Sequence, residues 1–363
     1  MSANEAIAAS ICESIIGEHD EDNPSFTQTL SNYFNTSKLI FTRAHEDQFR
    51  SLRRQWEIGE DDYRASFTQP NNSDDGKTND DSNNNALVSI GDMGYSGSTF
   101  FTTADGKYLI KSVPRHFEHS FFRDELLVPY ADHMRANRAS LLVRITDFLE
   151  AQRSVGATLG LAPSHHLVME NTKFGEAADK RDDAEWETWD LKPMSYFYPE
   201  RDVAGGALSS DETKEKLADG FEGKIVLSID AAAEFRATLQ KDTALLAQCN
   251  AVDYSLFLVR IPATAESKEE DGGLPDVPVE PPLVPPGPPS WKTGVRSADG
   301  KYVYRAAVLD FFWAKHKVHA QAMTGLINTY NVVDRQGPMS VTTTSEEYRE
   351  RFLKMCDEMV EVA

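Results

Sequence analysis

From Ala86 the chain reads ALVSIGDMGYSGSTFFTTADGKYLIKSV, and apolar and polar side chains alternate along it with period two. Alternation of this kind buries one side of each strand and wets the other, so the segment is expected to form antiparallel sheet. Asp105-Gly106 is expected to supply the positive φ angles of a hairpin turn. A helix is expected over residues 117 to 136, with further strands over 140 to 149 and 164 to 170. ADGKY occurs at 104 to 108 and again at 298 to 302. The repeat is read as two hairpin turns and not as a duplication, because Asp-Gly is what such turns select.

On either side of this stretch the period changes. The first 68 residues read as helices, in NEAIAASICESII, SFTQTLSNYF and HEDQFRSLRRQW, the last with Phe49, Leu52 and Trp56 at helical spacing. They are expected to form an entry layer and not a separate domain. Residues 69 to 85, QPNNSDDGKTNDDSNNN, offer no apolar side chain to a core and are expected to be a disordered insertion. Further on, a helix at about 230 to 248 leads into AVDYSLFLVRI, an apolar strand pair broken by one aspartate. The region 263 to 295 contains LPDVPVEPPLVPPGPPSW, whose prolines exclude sheet and helix and favour extended polyproline conformation. It is read as a solvated insertion that an aromatic-groove protein module would also suit. A second hairpin, ADGKYVYRAAVLDFF, follows. SEEYRERFLKMCDEMVEV then forms an amphipathic helix with Tyr348, Phe352, Met355 and Met359 on one face, expected to pack on the core because the other face is acidic.

A chain of 363 residues with 40% hydrophobic content can bury two lobes, expected at 1 to 173 and 174 to 363. No apolar run approaches the roughly 20 residues that cross a bilayer. MSANEAIAASICESII lacks the basic start and cleavage site of a signal peptide, so a cytosolic address is expected. Cys12, Cys249 and Cys356 have no CxxC spacing and suggest neither a disulfide framework nor a thiolate zinc site. A net charge of -21 argues against nucleic acid as a partner. Three stretches that read as loop, 60 to 81, 176 to 187 and 266 to 280, hold 14 of the 21 surplus negative charges. The remainder is only mildly acidic, so whole-chain charge says little about the field at a site.

Phosphoryl transfer requires backbone donors and a lysine on nucleotide phosphates, an acid for magnesium and an acid to orient the attacking hydroxyl. Ser96-Gly97-Ser98 is a small-residue turn whose backbone N–H groups can approach an anion. Lys111 lies on the returning strand beside Leu109, Ile110 and Val113, and reads equally as a strand-end charge or a phosphate ligand. Asp253 in AVDYSLFLV and Asp310 in AAVLDFFW are isolated acids in apolar strands. Burying an unpaired carboxylate there is costly, so each needs a partner: a metal, a turn or a cap. Adjacent His165 and His166 on a strand point to opposite faces, which favours packing over metal binding.

In combination, these segments resemble the phosphatidylinositol phosphate kinases. SGSTFF and YLIKSV are similar to that family's glycine loop and lysine strand, VDYSLFLV to its MDYSLL segment and VLDFF to its IID segment. FRSLRRQWEIGEDDYRAS, LVMENTKF, WETWDLK and YRERFLKM extend the resemblance over most of residues 44 to 357. It implies an α+β, two-lobed kinase-like fold with an antiparallel N-lobe sheet and a smaller-sheet C-lobe. It also implies ATP and Mg2+ as cofactors, with Lys111 on the ATP phosphates, Asp310 on magnesium and Asp253 orienting the inositol hydroxyl. Lys192 would lie near the phosphates or the lipid headgroup, and adenine near Val168, Met169, Glu170 and Asn171. The glutamate that pairs with the lysine would be Glu118 or Glu125, with Glu118 preferred. The resemblance implies phosphorylation of the 5-hydroxyl of phosphatidylinositol 4-phosphate, by a peripheral membrane enzyme that leaves room for a homodimer.

Two segments depart from the family pattern. DLKGS is here DLKPM, so Pro193 removes a backbone donor after Lys192. The lipid-selecting loop is WAKHKVHAQAM, with Lys315, His316, Lys317 and His319 but no glutamate, and Lys315 and Lys317 are its expected headgroup contacts. These departures keep open an alternative, a catalytically degenerate relative that binds nucleotide or phosphoinositide as a scaffold.

Overall fold

The computed structural model describes residues 3–17, 40–68, 86–92, 98–152, 163–181, 185–193, 220–263, 284–285, 290–314 and 344–363. SFTQTLSNYF, the 69–85 insertion and most of the proline-rich region lie outside these residues. The chain divides into two compact units, Met1–His119 with Arg144–Asn171 and Ser120–Val143 with Thr172–Ala363. The lobes expected from sequence differ from this grouping mainly in Ser120–Val143, which belongs with the second unit. The fold is α+β, with sheets that are antiparallel apart from one short pair and one isolated bridge.

The first unit is built on six strands: β1 (Phe41–Arg43), β2 (Leu87–Asp92), β3 (Thr99–Thr103), β4 (Tyr108–Ser112), β5 (Ile145–Ala151) and β6 (His165–Glu170). Their order is β1-β5-β6-β4-β3-β2, so β6 is paired on both edges. Its helices are α1 (Ala3–Ile16), α2 (Glu46–Gln55), α3 (Glu60–Ala65) and the start of α4 (His116–Phe121), whose last two residues belong to the second unit. In α1 the stripe Ile7, Ile11 and Ile15 recurs every fourth residue and shares a core with Phe41, Tyr63 and Ile110.

Four readings of the sequence change here. Phe41–Arg43 is strand and not helix, because pairing with Leu149 to Ala151 decides the state of a segment too short to show a period. Glu60–Ala65 is helix and not loop. Its three leading acids suit the positive end of the helix dipole, and Tyr63 is fully buried. The strand expected from residue 140 begins at Ile145, while Leu142 bridges to Val308 in the second unit. In the Asp-Gly turns only the glycines have positive φ, 72° at Gly106 and 74° at Gly300. The aspartates act through their side chains instead. Asp105 Oδ1 accepts from Thr103 Oγ1 (2.6 Å) and Lys107 N (3.1 Å), and Asp299 Oδ1 accepts from Ser297 Oγ (2.6 Å) and Lys301 N (3.1 Å). The two ADGKY segments are thus one turn design used twice.

A buried ionic cluster ties α2 and α3 to β5. Asp147 Oδ2 accepts from Arg43 Nε (2.8 Å), Tyr63 Oη (3.2 Å) and Arg53 Nη1 (3.4 Å). Arg53 also forks onto Glu60 at 2.8 and 2.9 Å. Nearby, His166 is fully buried with its ring edge-on to Phe41, and neither ring nitrogen has a hydrogen-bond partner. Burial pushes its pKa from 6.5 down to about 3. The folded state therefore refuses a proton that the unfolded chain accepts, and stability falls as pH drops below the unfolded value. At pH 5 the expected loss from this residue is about 2 kcal/mol relative to neutral pH. Urea titrations of His166→Phe should lack this component of the acid sensitivity; equal pH slopes in the two proteins would show that the native imidazole takes up a proton.

The second unit carries a sheet of order β11-β12-β10-β7, formed by β7 (Glu187–Leu191), β10 (Ser255–Pro262), β11 (Val295–Arg296) and β12 (Tyr302–Leu309). β9 (Ala251–Val252) pairs with β13 (Trp313–Ala314), and β8 (Ile225–Leu227) pairs in parallel with β14 (Val360–Val362). Its helices are α5 (Leu127–Ala136), α6 (Ile229–Gln248) and α7 (Ser345–Met359). The helix expected over 117 to 136 is continuous from α4 to α5 through a π turn, Phe122–Leu126, just before Pro129, which has no N–H to give to Glu125. Ser228 caps α6, accepting from Ala231 N. α7 buries Tyr348, Phe352 and Met359 as expected, but Met355 is only half-buried and Cys356 takes the buried place beside them. Among the described residues no helix is long and apolar enough to cross a membrane.

Candidate functional site

Three neighbouring strands of the second unit are interrupted at the same level. Leu256 of β10 pairs with Val308 of β12 on one side and Leu191 of β7 on the other. β7 ends at Leu191, and Lys192 follows. β10 is separated from β9 by Asp253 and Tyr254, and β12 from β13 by Asp310, Phe311 and Phe312. Pairing resumes beyond the gap at Val252↔Trp313. Register alone therefore puts Lys192, Asp253 and Asp310 at adjacent strand ends.

Both aspartates adopt left-handed backbone, φ 65° at Asp253 and 60° at Asp310. Such a conformation costs a side-chain-bearing residue about 1–3 kcal/mol and persists only where the surroundings over-determine it. At Asp310 the next two residues supply the constraint. Phe311 is fully buried and stacks on Tyr130, and Phe312 meets Phe122 edge-on. The strand leading to Asp310 is held too, since Val308 N donates to Leu141 O at 2.7 Å. Buried Asp242 fixes that loop, accepting from Leu141 N (2.6 Å) and Ser140 Oγ (2.9 Å) and pairing with His133 Nε2 (2.6 Å).

Lys192 Nζ lies 3.1 Å from Asp253 Oδ1. Burial works against its charge, but Asp253, Asp190 and Asp310 outweigh it and hold the ammonium above its ordinary pKa. Asp190 was not singled out in the sequence. The signal was present in WDLK, where residues two apart on an extended chain face the same way. The carboxylates of Asp190, Asp253 and Asp310 thus set a negative field at Lys192, and carboxylate oxygens are hard donors of the kind magnesium takes. Among the described residues no group of three or more His, Cys, Asp or Glu side chains could hold a metal unaided. Magnesium needs only one or two protein carboxylates where nucleotide phosphates complete its shell, so Asp310 fits it.

The other expected site residues belong to the first unit. Lys111 pairs in register with Phe100 and Leu167 and is only 7% exposed. That burial excludes the reading as a solvated strand-end charge. Its ammonium lies 5.6 Å from the Phe100 ring centroid. Next to it, Ser112 Oγ accepts from Thr99 N (2.8 Å) and locks the start of β3, directly after buried Ser98. Glu118 lies on α4 in the same unit and accepts from Arg115 Nη1 (3.1 Å), whereas Glu125 belongs to the second unit.

Val168 and Met169 are buried in β6 with their backbone committed to its neighbours. Glu170 N donates to Arg144 O and Asn171 N to Lys107 O. The Asn171 side chain donates to Gly106 O (2.8 Å). Ser96, Gly97, Lys315 and Lys317 lie outside the described residues.

A profile of the phosphatidylinositol-4-phosphate 5-kinase family matches residues 81–277, just over half of the chain. A Dictyostelium discoideum protein named a probable phosphatidylinositol phosphate kinase is 26% identical over 236 residues, covering 63% of this chain and 29% of the relative. The phosphatidylinositol 4-phosphate 5-kinase type-1 beta of Gallus gallus is 25% identical over 190 residues, covering 51% of this chain and 32% of the relative. The chain thus spans about a third of the length of each of these relatives.

Proposed function

The chain belongs to the phosphatidylinositol-4-phosphate 5-kinase family, and from that premise we propose that it transfers the γ-phosphoryl group of ATP to the 5-hydroxyl of phosphatidylinositol 4-phosphate. The observation that carries this reading is the convergence of Lys192, Asp253 and Asp310 at three adjacent strand ends, with both acids in left-handed backbone. A merely structural pair of aspartates has no need of strain at both positions.

In this reading Lys111 and the backbone N–H groups of Ser96, Gly97 and Ser98 bind the ATP phosphates. Asp253 accepts a hydrogen bond from the inositol hydroxyl and directs its oxygen at the γ-phosphorus. As the new O–P bond forms, the bond to the β,γ-bridging oxygen breaks, the hydroxyl proton leaves toward Asp253, and ADP departs. Lys192 stabilises negative charge on the transferring group and holds Asp253 in place. Asp310 would hold Mg2+, which when bound neutralises charge on the β- and γ-phosphate oxygens. Adenine lies near Val168 to Asn171.

Lys315 and Lys317 are assigned to the anionic headgroup. No acid occurs from Phe311 to Val333. Two lysines near an anionic surface contribute about 1 kcal/mol each, too little to hold an acidic chain at a membrane alone. The proposed location is therefore cytoplasmic and peripheral, with a second contact or a partner aiding recruitment.

The test offers vesicles containing each monophosphorylated phosphatidylinositol in turn, with magnesium and labelled ATP. The expected product is phosphatidylinositol 4,5-bisphosphate from the 4-phosphate, reduced when Lys315 and Lys317 are both changed to alanine. Preferential labelling of the 3- or 5-phosphate lipid would overturn the substrate assignment. Asp253→Asn should lower turnover far more than nucleotide affinity, since its partner is the hydroxyl; an equal loss of both would place Asp253 on the metal.

A further inference from the structure

We infer that Tyr348, on the terminal helix α7 and far from Asp253 in sequence, is a positioning residue that holds Asp253 in its working conformation. The inference rests on the role proposed for Asp253. Its physical basis does not.

Between β9 and β10 the backbone leaves the ladder for Asp253 and Tyr254. The carbonyl of Tyr254 has a different partner there: the buried Tyr348 hydroxyl donates to it. The Tyr254 ring meets Tyr348 edge-on at 4.7 Å and Phe352 edge-on at 4.9 Å. Tyr254 is itself fully buried and its own hydroxyl has no hydrogen-bond partner, so the residue serves this packing as an apolar plug. Tyr348 is thus bonded to the carbonyl of the residue that follows the left-handed Asp253, one peptide unit beyond it.

A brace is useful only if it is itself rigid. Thr344 and Glu347 close a capping box at the start of α7, with Thr344 Oγ1 accepting from Glu347 N (3.1 Å) and Glu347 Oε2 from Thr344 N (2.9 Å). Ser345 Oγ donates to Ala247 O (3.0 Å), and Arg349 bonds Thr243 Oγ1 (3.1 Å) and Gln240 Oε1 (2.6 Å) on α6. Arg236 of α6 pairs with Asp357 at 2.6 Å. α7 is therefore clamped along its length, and Tyr348 projects from a fixed point. Without its hydroxyl the strained Asp253 peptide is free to relax toward extended backbone, which shifts the carboxylate from Lys192. Small misplacements of a catalytic group have large kinetic consequences.

Tyr348→Phe keeps the ring contacts and removes only the donor. Its kcat for lipid phosphorylation should fall about tenfold or more, with KM for ATP unchanged. Phe352→Leu disturbs the same plug without touching the hydrogen bond; it should lower Tm at least as much while kcat stays within about twofold of wild type. A crystal structure of Tyr348→Phe should show Asp253 moved from φ 65° and the 3.1 Å contact to Lys192 lengthened. Unchanged kcat, or a loss of kcat in both variants that follows Tm, overturns the positioning role. If wild type transfers no phosphate, the kinase reading fails, and the variant's backbone at Asp253 still decides the brace: unchanged geometry there refutes it.

Discussion

Asp310→Asn and Lys111→Met are each expected to lower phosphoryl transfer by about two or more orders of magnitude while leaving the melting temperature nearly unchanged. Asparagine keeps the size and the left-handed tolerance that Asp310 needs, since both residues adopt φ near 60° more readily than others. What it removes is a negative charge that acts on Lys192. Methionine likewise preserves the apolar stem of Lys111 between Phe100 and Leu167 and deletes only the ammonium. Steady-state transfer to phosphoinositide vesicles, with a thermal melt of each variant, makes the check. Transfer at the wild-type rate in either variant would remove that residue from the mechanism.

The largest effect on stability is expected at Asp147. Its side chain has no exposure, and those of Arg43 and Arg53 have 3% and 0%. Burial raises the Asp147 pKa in spite of both guanidinium groups, so the cluster is held by geometry against an appreciable desolvation cost. Asp147→Leu removes the carboxylate and strands two buried cations, with Glu46 and Glu60 left as partial partners. The expected loss is about 3–5 kcal/mol, read by denaturant unfolding. A loss below about 1 kcal/mol would mean that water reaches the arginines.

The sequence showed the parts of the site more plainly than their geometry. Asp253 and Asp310 were visible because each is a lone acid in an apolar strand. Their left-handed backbone was not, because nothing local demands it: that conformation is imposed by Phe311, Phe312 and Tyr254, whose partners lie on distant elements. Lys192 was legible only through its DLK neighbourhood, and the carboxylates that hold its proton come from three separate segments. Tyr348 read as one apolar position on an amphipathic face; its hydroxyl acquires meaning only once α7 is laid against the strand break. Among the elements, long periodic segments such as α6 and β12 lay where expected. Phe41–Arg43 did not, since a three-residue edge strand is specified by its partner β5 and not by its own pattern. The Asp-Gly turns were located correctly with the wrong mechanism, because a side-chain hydrogen bond can replace a positive φ at the aspartate.

The central claim is that this chain transfers phosphate from ATP to a phosphoinositide, using Lys111, Asp253 and Asp310. It is tested most directly by incubating the purified chain with γ-labelled ATP, magnesium and vesicles containing phosphatidylinositol 4-phosphate, and separating the lipids. The account predicts a labelled bisphosphorylated lipid that is lost in Asp310→Asn. Nucleotide and vesicle binding with no labelled lipid from any monophosphorylated phosphatidylinositol would contradict it.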